Sequence, residues 1–566
     1  MMNRALRWIS QEVQGLHTAF YVLAASALLS SILALLRDRI LAHVFGAGAT
    51  LDLYYAAFRI PDLIFVGTGA LVSVYILIPE LIRRSETEQR DYIDTIITGF
   101  LTFSITIAAL AAVFAPLVLQ ALFPQFVAQG HMPELVMLTR IILMQPILLG
   151  LSNILASVTQ TRRRYWLYSI SPLLYNLGII FGTVALYPIF GIQGLAWGVV
   201  VGALLHFGIQ LPSVASDGFF RRLPRIREPR ALYTTAVVSI PRALALSMNQ
   251  ITFMGLIALA GMLAPGSIAV FMFAYNLQAV PLSIVGSSYS VATFPTLARA
   301  LSRGEREGFI DHIALSARYI FLWSLPITAL VIVLRAYIVR FVLGSGAFDW
   351  TDTRLTAAGL AIFSLSLAAQ GLTLLIVRGY YAAGRTFVPF IVALLSAGVT
   401  ITIGVFSIGM FQSTTISNFT QDLLRVAGVP GSNVLSLAFA YSFVAILAAI
   451  VLLVHFERRF SGFWKLVRGS WAQSAVAAIA GGAAAYFVLE VVGPITLSST
   501  TLSIFMKGFA GITAGIIVSA LALYALGSRE YAETVVGIRA RLWRGRGILG
   551  STVVASAEEG SPSTPQ

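Results

Sequence analysis

Residues 21–45 read YVLAASALLSSILALLRDRILAHVF, an apolar helix of membrane-spanning length with three consecutive charges, Arg37, Asp38 and Arg39. A charge inside hydrocarbon costs at least about 2.5 kcal/mol, so such side chains usually face a partner or a watery cavity. The next segment, LDLYYAAFRIPDLIFV at residues 51–66, again places charged residues among apolar ones. Together the two segments predict a membrane protein that handles a polar or charged substrate near the membrane midplane.

The overall composition is that of an integral membrane protein. Hydrophobic residues make up 58% of the 566 residues and charged residues only 11%, and the mean hydropathy is +0.85. A soluble chain would carry about 25% charged residues. The chain has no cysteine, which excludes a disulfide framework and a thiolate metal site. Its six histidines show no metal-ligand spacing, so no cofactor is predicted.

Apolar segments separated by short polar loops predict an all-α polytopic membrane protein of about fourteen transmembrane helices. We expect two six-helix lobes around a central cavity, followed by two further helices. The predicted spans are 18–44, 52–82, 94–122, 136–160, 165–187, 192–212, 233–261, 268–297, 311–334, 355–378, 386–410, 433–455, 470–490 and 501–526. The predicted domains are an amphipathic lead-in (1–17), a first lobe (18–212), a basic linker (213–232), a second lobe (233–455), the two additional helices (456–526) and a basic, then disordered tail (527–566).

The two lobes are predicted to be parallel repeats. The second span ends VGTGALVSVYILIPEL and the eighth ends VGSSYSVATFPTLARA, and each contains a Ser-Val pair followed by a proline. Both spans cross the membrane in the same direction, as in transporters whose halves rock about a central site.

Arginines are concentrated in the loops that follow even-numbered spans, so the positive-inside rule places both termini in the cytoplasm. Arg425 is an exception, and Arg335 and Arg340 lie near an outer end, where we expect a short interfacial helix. The insertion at residues 411–433, between spans eleven and twelve, is expected to form a short amphipathic helix over the outer mouth. The net charge of +14 follows from these loop arginines facing anionic lipid. It does not require a nucleic-acid partner.

Helical spacing selects the candidate site residues of the first lobe. Arg37 faces a narrow polar groove of the first helix, whereas Asp38 and Arg39 project to other sides. In the second span a polar stripe includes Asp52 and Arg59, beside a kink expected at Pro61. Structural alternatives to substrate binding stay open. Asp52 is then only a helix N-cap, and the arginines snorkel or pair locally.

In the second lobe, Arg242 lies within a turn or two of the cytoplasmic face, where it either snorkels or meets an acidic head group. The eighth span contributes Asn276 and several serines, which in membranes mostly serve close helix packing. The sequence contains no Gly-rich phosphate loop with lysine, no HExxH and no GxSxG motif. The protein is therefore predicted not to be an enzyme.

The run LLRDRILAHVFGAGATLDLYYAAFRIPDLIF at residues 35–65 resembles the opening of the MurJ/MviN family. The resemblance continues, in the family's order and spacing, through NILASVTQTRRRYWLYSISPLLYNLGII, VPLSIVGSSYSVATFPTLA and YYAAGRTFVPF, and covers roughly residues 20–525. The family is similar to the wider group of multidrug, oligosaccharidyl-lipid and polysaccharide exporters.

The resemblance implies a flippase that moves lipid II, the undecaprenyl-pyrophosphate-linked peptidoglycan precursor, from the inner to the outer leaflet of the bacterial cytoplasmic membrane by alternating access. The candidate substrate-binding residues are Arg37, Asp38, Asp52, Arg59, Arg39, Arg242 and Asn276. The implied partners are the lipid-linked precursor, membrane lipids and the cell-wall synthesis machinery. The identity of a coupling ion stays open.

The chain departs from the family pattern at several charged positions. Ser31 and Asn276 stand where the resemblance predicts arginines, and Thr68 stands where it predicts an acidic residue. Because cationic ligands of a pyrophosphate are missing, two alternatives stay open. One is an exporter of another polyprenyl-linked glycan or amphipathic solute, and the other is a non-transporting scaffold for cell-envelope assembly.

Overall fold

The computed structural model describes residues 16–220, 224–496 and 499–544, and every regular element among them is a helix. Most of the predicted lead-in, and the predicted disordered part of the tail, lie outside these residues. The first half contains α1 (Leu16–Phe45), α2 (Ala49–Ala57), α3 (Arg59–Leu71), α4 (Val74–Ile82), α5 (Glu86–Leu122), α6 (Pro124–Ala128), α7 (Met132–Ile142), α8 (Met144–Thr161), α9 (Tyr165–Phe181), α10 (Tyr187–Phe190), α11 (Ile192–Gly208) and α12 (Leu211–Ser216).

The second half and the C-terminal helices continue the bundle. The second half contains α13 (Pro229–Gly261), α14 (Ser267–Leu282), α15 (Ser288–Ser302), α16 (Arg306–Val342), α17 (Trp350–Leu365), α18 (Leu367–Ala382), α19 (Phe387–Phe411), α20 (Thr414–Leu424) and α21 (Leu435–Arg459). The C-terminal helices are α22 (Phe463–Val492), α23 (Thr501–Ala525) and α24 (Arg529–Arg544).

Eleven helices of the described residues are long and apolar enough to cross a membrane, and α17 and α18, bent by 44° at their junction, make a twelfth span. The polytopic helical fold is confirmed, whereas the predicted number of fourteen is not. The two predicted spans outside this set are the first, which is α1, and the second, which runs through α2, α3 and α4.

Large apolar side chains cover the outside of the bundle, as expected where lipid is the solvent. Val113 and Leu117 on α5 are 68% and 67% exposed, and Ile479 on α22 is 73% exposed. In water, a surface of this kind would favour aggregation. In a bilayer it matches the surrounding hydrocarbon.

The second span is interrupted twice, and the first interruption lies at Phe58, three residues before Pro61, where the sequence predicts a kink. Helix α2 ends at Ala57 and α3 begins at Arg59. Proline lacks an N–H and its ring clashes with the carbonyl four residues earlier, which here belongs to Ala57. A second break at Val72 and Ser73 separates α3 from α4. The corresponding span of the second half is also irregular, with a π-helical turn at Ser283–Ser287 between α14 and α15.

Two sequence expectations about the loops have different outcomes. The interfacial helix expected around Arg335 and Arg340 is wrong, because both residues belong to the continuous helix α16. Its apolar run of membrane length carries the helix through to Val342, and the guanidinium groups bond nearby backbone carbonyls. The segment after α19 does form a short amphipathic helix, α20, with Phe419 and Leu423 exposed.

The two ends of the bundle are distinguished by the loops that they carry. We call the end with the loops at 83–85, 162–164, 303–305, 383–386 and 460–462 the basic end. At the other end, with the loops at 46–48, 262–266 and 343–349, the halves hydrogen-bond to each other, and we call it the interlocked end. There the N–H of Ala347 donates to the carbonyl of His43 at 2.8 Å, and the N–H of Ala47 donates to Asp352 Oδ2 at 2.9 Å. Helix α14 packs on α2. Helix α13 packs on α3 and α5, and near the basic end it also hydrogen-bonds to the first half, since the hydroxyls of Tyr92 and Thr235 lie 3.1 Å apart.

Helices α9 and α11 approach each other so closely that only glycine fits between them. A Cβ atom on Gly198 would lie 2.5 Å from the Cα of Gly182, and one on Gly178 would lie 2.2 Å from the Cα of Gly202. Such contacts let backbones touch in a membrane, where packing rather than hydrophobicity joins helices.

We predict that Gly198→Ala lowers the stability of the purified protein by about 2 kcal/mol, a typical cost of overpacking. Thermal unfolding in detergent measures this directly. Gly208→Ala on the same helix is the matched control, because nothing lies within 4 Å of its added Cβ. Equal melting temperatures for the two variants would contradict the packing argument.

Candidate substrate-binding site between the two halves

Four polar side chains meet in the bundle between α1, α9 and α14. Arg37 Nε and Nη2 donate to Asp38 Oδ1 at 2.9 and 2.7 Å, and Arg37 Nη1 donates to Asn176 Oδ1 at 3.0 Å. Asn276 Nδ2 donates to Asp38 Oδ2 at 3.1 Å. The cluster therefore joins the first half, through Arg37, Asp38 and Asn176, to the second half, through Asn276. We call these four residues the polar cluster.

The two charges of the polar cluster differ in accessibility. The side chain of Asp38 is 5% exposed and that of Arg37 is 21% exposed. Removing charges from water costs several kcal/mol per ion and is offset only by close pairing and further hydrogen bonds. Asp38 has both, since each carboxylate oxygen accepts from a different partner. Arg37 is the more accessible member of the pair.

Three tyrosines lie near Arg37. Tyr54 and Tyr55 of α2 and Tyr175 of α9 all lie within electrostatic range of Arg37. Tyr55 is buried, and its hydroxyl has no hydrogen-bond partner among the described residues. A buried, unsatisfied hydroxyl costs about 1–3 kcal/mol, so it favours any ligand that supplies an acceptor.

Arg59 lies beside the break between α2 and α3, and its side chain bonds a group on each of these helices. Its Nε donates to the carbonyl of Tyr55 at 3.1 Å, and its Nη2 donates to Asp62 Oδ2 at 3.2 Å. Pro61 causes the break, and the buried Arg59 side chain bonds a carbonyl in the last turn before it. Arg59 is thus placed one helical turn from Tyr55 and paired locally with Asp62.

Asp52 and Arg39 lie at the interlocked end and hold the ends of helices that belong to the other half. The carboxylate of Asp52 accepts the N–H groups of Gly266 and Ala269 at 2.6 and 2.8 Å, which caps the N-terminus of α14. Arg39 Nη1 donates to the carbonyls of Phe341 and Val342 at 2.6 and 3.1 Å, at the C-terminus of α16. An anion at a helix N-terminus and a cation at a C-terminus both complement the helix dipole.

Gly266 explains why Asp52 reaches the backbone of α14. Its φ is +90°, and a Cβ there would lie 2.0 Å from the carbonyl oxygen of Ala47. Only glycine combines this backbone conformation with such close approach. The loop after α1 therefore rests directly on the start of α14, with Asp52 beneath it.

The structure thus brings three of the predicted site residues together, namely Arg37, Asp38 and Asn276. Their role in binding substrate stays a prediction. The side chain of Arg242, on α13, lies outside the described part of the structure. Sequence reasoning missed Asn176, although a lone amide in the apolar run SPLLYNLGII was a detectable signal.

Two positions that depart from the family pattern have local roles. The hydroxyl of Ser31 donates to the carbonyl of Ala27 at 3.0 Å, and that of Thr68 donates to the carbonyl of Ile64 at 2.8 Å. Both hydroxyls bond their own helix, so neither replaces the charge predicted at its position.

With this geometry established, comparison with known proteins identifies the family. The family model described as "Lipid II flippase MurJ" matches residues 41–506, which is most of the chain. The chain belongs to the MurJ family. A "Probable lipid II flippase MurJ" from Thermotoga maritima is 27% identical over 380 residues, covering 66% of this chain and 76% of the relative. The protein described in the same words from Haemophilus influenzae is 26% identical over 496 residues, covering 82% of this chain and 91% of the relative.

Solved structures show the same fold. A structure described as "Lipid II flippase MurJ, inward closed conformation" matches with a TM-score of 0.70 at 20% identity, covering 89% of this chain and 99% of that one. The inward-facing conformation of a multidrug resistance MATE family transporter of the MOP superfamily matches with a TM-score of 0.61 at 14% identity. The match covers 79% of this chain and 99% of that one. The MurJ fold expected from the sequence is confirmed.

Membership of the MurJ family has three consequences. The protein is a multi-pass protein of the inner membrane, as predicted. Its family consists of transporters rather than catalysts. The lipid II flippase hypothesis is supported over the alternatives of another exporter or a scaffold.

We predict that Asn276→Leu reduces transport by about tenfold. Leucine has a similar volume but cannot donate to Asp38, and a hydrogen bond to a charged group contributes about 1.5–3 kcal/mol. Transport rates in proteoliposomes at matched protein content measure the effect. Asn418→Leu on α20, outside the polar cluster, controls for the substitution itself, and equal rates for the two variants would contradict a role for Asn276.

Proposed function

We propose that this protein moves lipid II across the inner membrane by alternating access, with the polar cluster binding the pyrophosphate of the substrate. The observation that carries the proposal is the Arg37–Asp38 pair between the helices, which hydrogen-bonds side chains from both halves. A substrate that binds here contacts both halves at once, so its binding and their relative movement are coupled.

The chemistry of Arg37 fits a phosphate ligand. A guanidinium binds phosphate oxygens through parallel N–H···O bonds that are roughly twice as strong as neutral ones. Nη1 of Arg37 now donates to the amide oxygen of Asn176, a neutral acceptor. A pyrophosphate oxygen is a stronger acceptor and displaces that amide, while Asp38 continues to orient the guanidinium.

We propose that the basic end of the protein lies in the cytoplasm. The loops of that end carry most of the loop arginines, which positive-inside topology assigns to the cytoplasmic side. Both termini then lie in the cytoplasm and the interlocked end faces the outer leaflet. Closure of the interlocked end by Asp52 and Arg39 favours loading from the cytoplasmic side.

Release requires the bonds of the interlocked end to break, as the two halves rock apart there. A ligand shifts such an equilibrium only by its difference in affinity for the two states. We propose that the membrane potential or an ion gradient supplies the remaining driving force, with no bound cofactor. The flipped precursor then passes to the cell-wall synthesis machinery at the outer surface.

The experiment is complementation of a conditional flippase-depletion strain, together with flipping of lipid II by the purified protein in proteoliposomes. We expect the wild-type protein to support growth and to move lipid II. A parallel assay with a polyprenyl-pyrophosphate glycan that lacks the peptide tests substrate choice. Good membrane expression with neither rescue nor flipping would contradict the proposal.

A further inference from the structure

A second arginine-lined site lies at the basic end, away from the polar cluster. An open cleft of about 530 Å³ lies where α15, α16, α18 and α21 end or begin. Arg306, Arg385 and Arg459 line it. All four helices belong to the second half, so the cleft is built without any contribution from the first half.

The cations of this cleft have no acidic partner. None of the three arginines forms an ion pair within 4 Å among the described residues. Arg306 Nη2 donates to the carbonyl of Arg459 at 2.7 Å, which joins the start of α16 to the end of α21. The nearby carboxylate of Glu457 is already bonded to the N–H groups of Gly462 and Trp464. Three positive charges therefore face the cleft uncompensated.

The rest of the lining is largely apolar. Phe460 and Leu301 contribute side chains, and the guanidinium of Arg306 lies 5.9 Å from the centre of the Phe460 ring. The volume is within the range of about 300–1,000 Å³ that is usual for small-ligand sites. A ligand that fits is anionic at one end and apolar at the other.

We propose that this cleft binds the phosphate group of an anionic glycerophospholipid in the leaflet at the basic end of the protein. Basic pockets between transmembrane helices at the cytoplasmic face recognise lipid head groups in this way. A lipid is favoured over a soluble phosphate because the cleft lies at the ends of membrane-spanning helices and has an apolar wall. Since only the second half builds the cleft, the lipid stays bound while the halves move relative to each other.

The test measures phosphatidylglycerol binding to the full-length protein in detergent by native mass spectrometry. We expect Arg385→Gln/Arg459→Gln to weaken binding at this site by at least about tenfold. Arg458→Gln is the matched control, because Arg458 is adjacent in sequence, carries the same charge and does not line the cleft. We expect the control to bind within about twofold of the wild type. Equal losses in the control and the double variant would overturn a specific site.

Two further measurements separate the possible ligands and exclude misfolding. Inorganic phosphate at millimolar concentration should leave phosphatidylglycerol bound, and displacement by phosphate alone would overturn the assignment to a lipid. A photoreactive phosphatidylglycerol in proteoliposomes should label peptides containing residues 298–306 or 382–385 of the wild-type protein. Labelling confined to other helices would overturn the proposal even if the double variant failed to fold. Neither readout depends on which substrate the protein transports.

Discussion

Arg37→Gln is expected to reduce lipid II transport by at least about 30-fold. Truncating one partner of a buried, hydrogen-bonded charge pair costs about 2–5 kcal/mol, and each 1.4 kcal/mol is a factor of ten. Glutamine keeps part of the side-chain length but loses the charge and the forked donor groups that we propose bind the pyrophosphate. Flipping of labelled lipid II in proteoliposomes and rescue of a flippase-depleted strain both measure the loss.

A double variant distinguishes a role in binding from a role in structure. In Arg37→Gln the carboxylate of Asp38 loses its ionic partner and is left buried, which by itself destabilises the protein. Arg37→Gln/Asp38→Asn removes both charges and relieves that penalty. If Arg37 only compensates Asp38, the double variant regains transport. If Arg37 binds the pyrophosphate, the double variant folds and stays inactive, which is the result we expect.

Arg140→Gln is the matched control for the single substitution. Arg140 lies in the same half, and its Nε donates to the carbonyl of Ala112 at 3.0 Å, away from the polar cluster. We expect it to transport at close to the wild-type rate. Wild-type transport by Arg37→Gln would contradict the proposed site.

The helices are predictable from the sequence because each apolar run is long enough to cross the membrane and is bounded by polar loops. The charged residues of α1 are likewise conspicuous, since charge in hydrocarbon needs a partner. The partners themselves are not predictable. Asn176 is 139 positions from Arg37, and Asn276 is 238 positions from Asp38. Only the packing of α1 against α9 and α14 brings these residues together.

Arg39 and Asp52 lie outside the polar cluster, and their partners are also too distant in sequence to be predicted. Successive residues of a helix point about 100° apart, so Arg37 and Arg39 face different neighbours. Arg39 reaches α16, 302 positions away. For Asp52 the sequence allows either a substrate ligand or an N-cap, and the structure shows a cap on a helix of the other half. An N-cap pattern identifies the helix that follows in sequence and carries no information about a helix 214 positions away.

Asp52→Asn is expected to shift the protein towards a state in which the interlocked end is open. The buried carboxylate of Asp52 accepts two backbone N–H groups of α14, and an amide can accept them only through its single oxygen while its NH₂ group faces a donor. Hydrogen bonds to a charged group contribute about 1.5–3 kcal/mol, so the equilibrium between closed and open states should move by roughly 10- to 150-fold. Transport should fall because substrate is no longer loaded against a closed interlocked end.

The absence of cysteine makes this prediction directly measurable. Spin labels on Gln129→Cys and Ala427→Cys, exposed positions on loops of the two halves at the interlocked end, report their separation by pulsed electron paramagnetic resonance. We expect a longer distance population to grow in Asp52→Asn. The matched control is Asp349→Asn, since Asp349 caps α17 within its own half through the N–H of Asp352 at 2.8 Å. Because asparagine still accepts the N–H of Asp352 and the contact between Asp52 and α14 is unchanged, the control should keep the wild-type distances. An unchanged distribution in Asp52→Asn would show that the cap on α14 does not hold the two halves together.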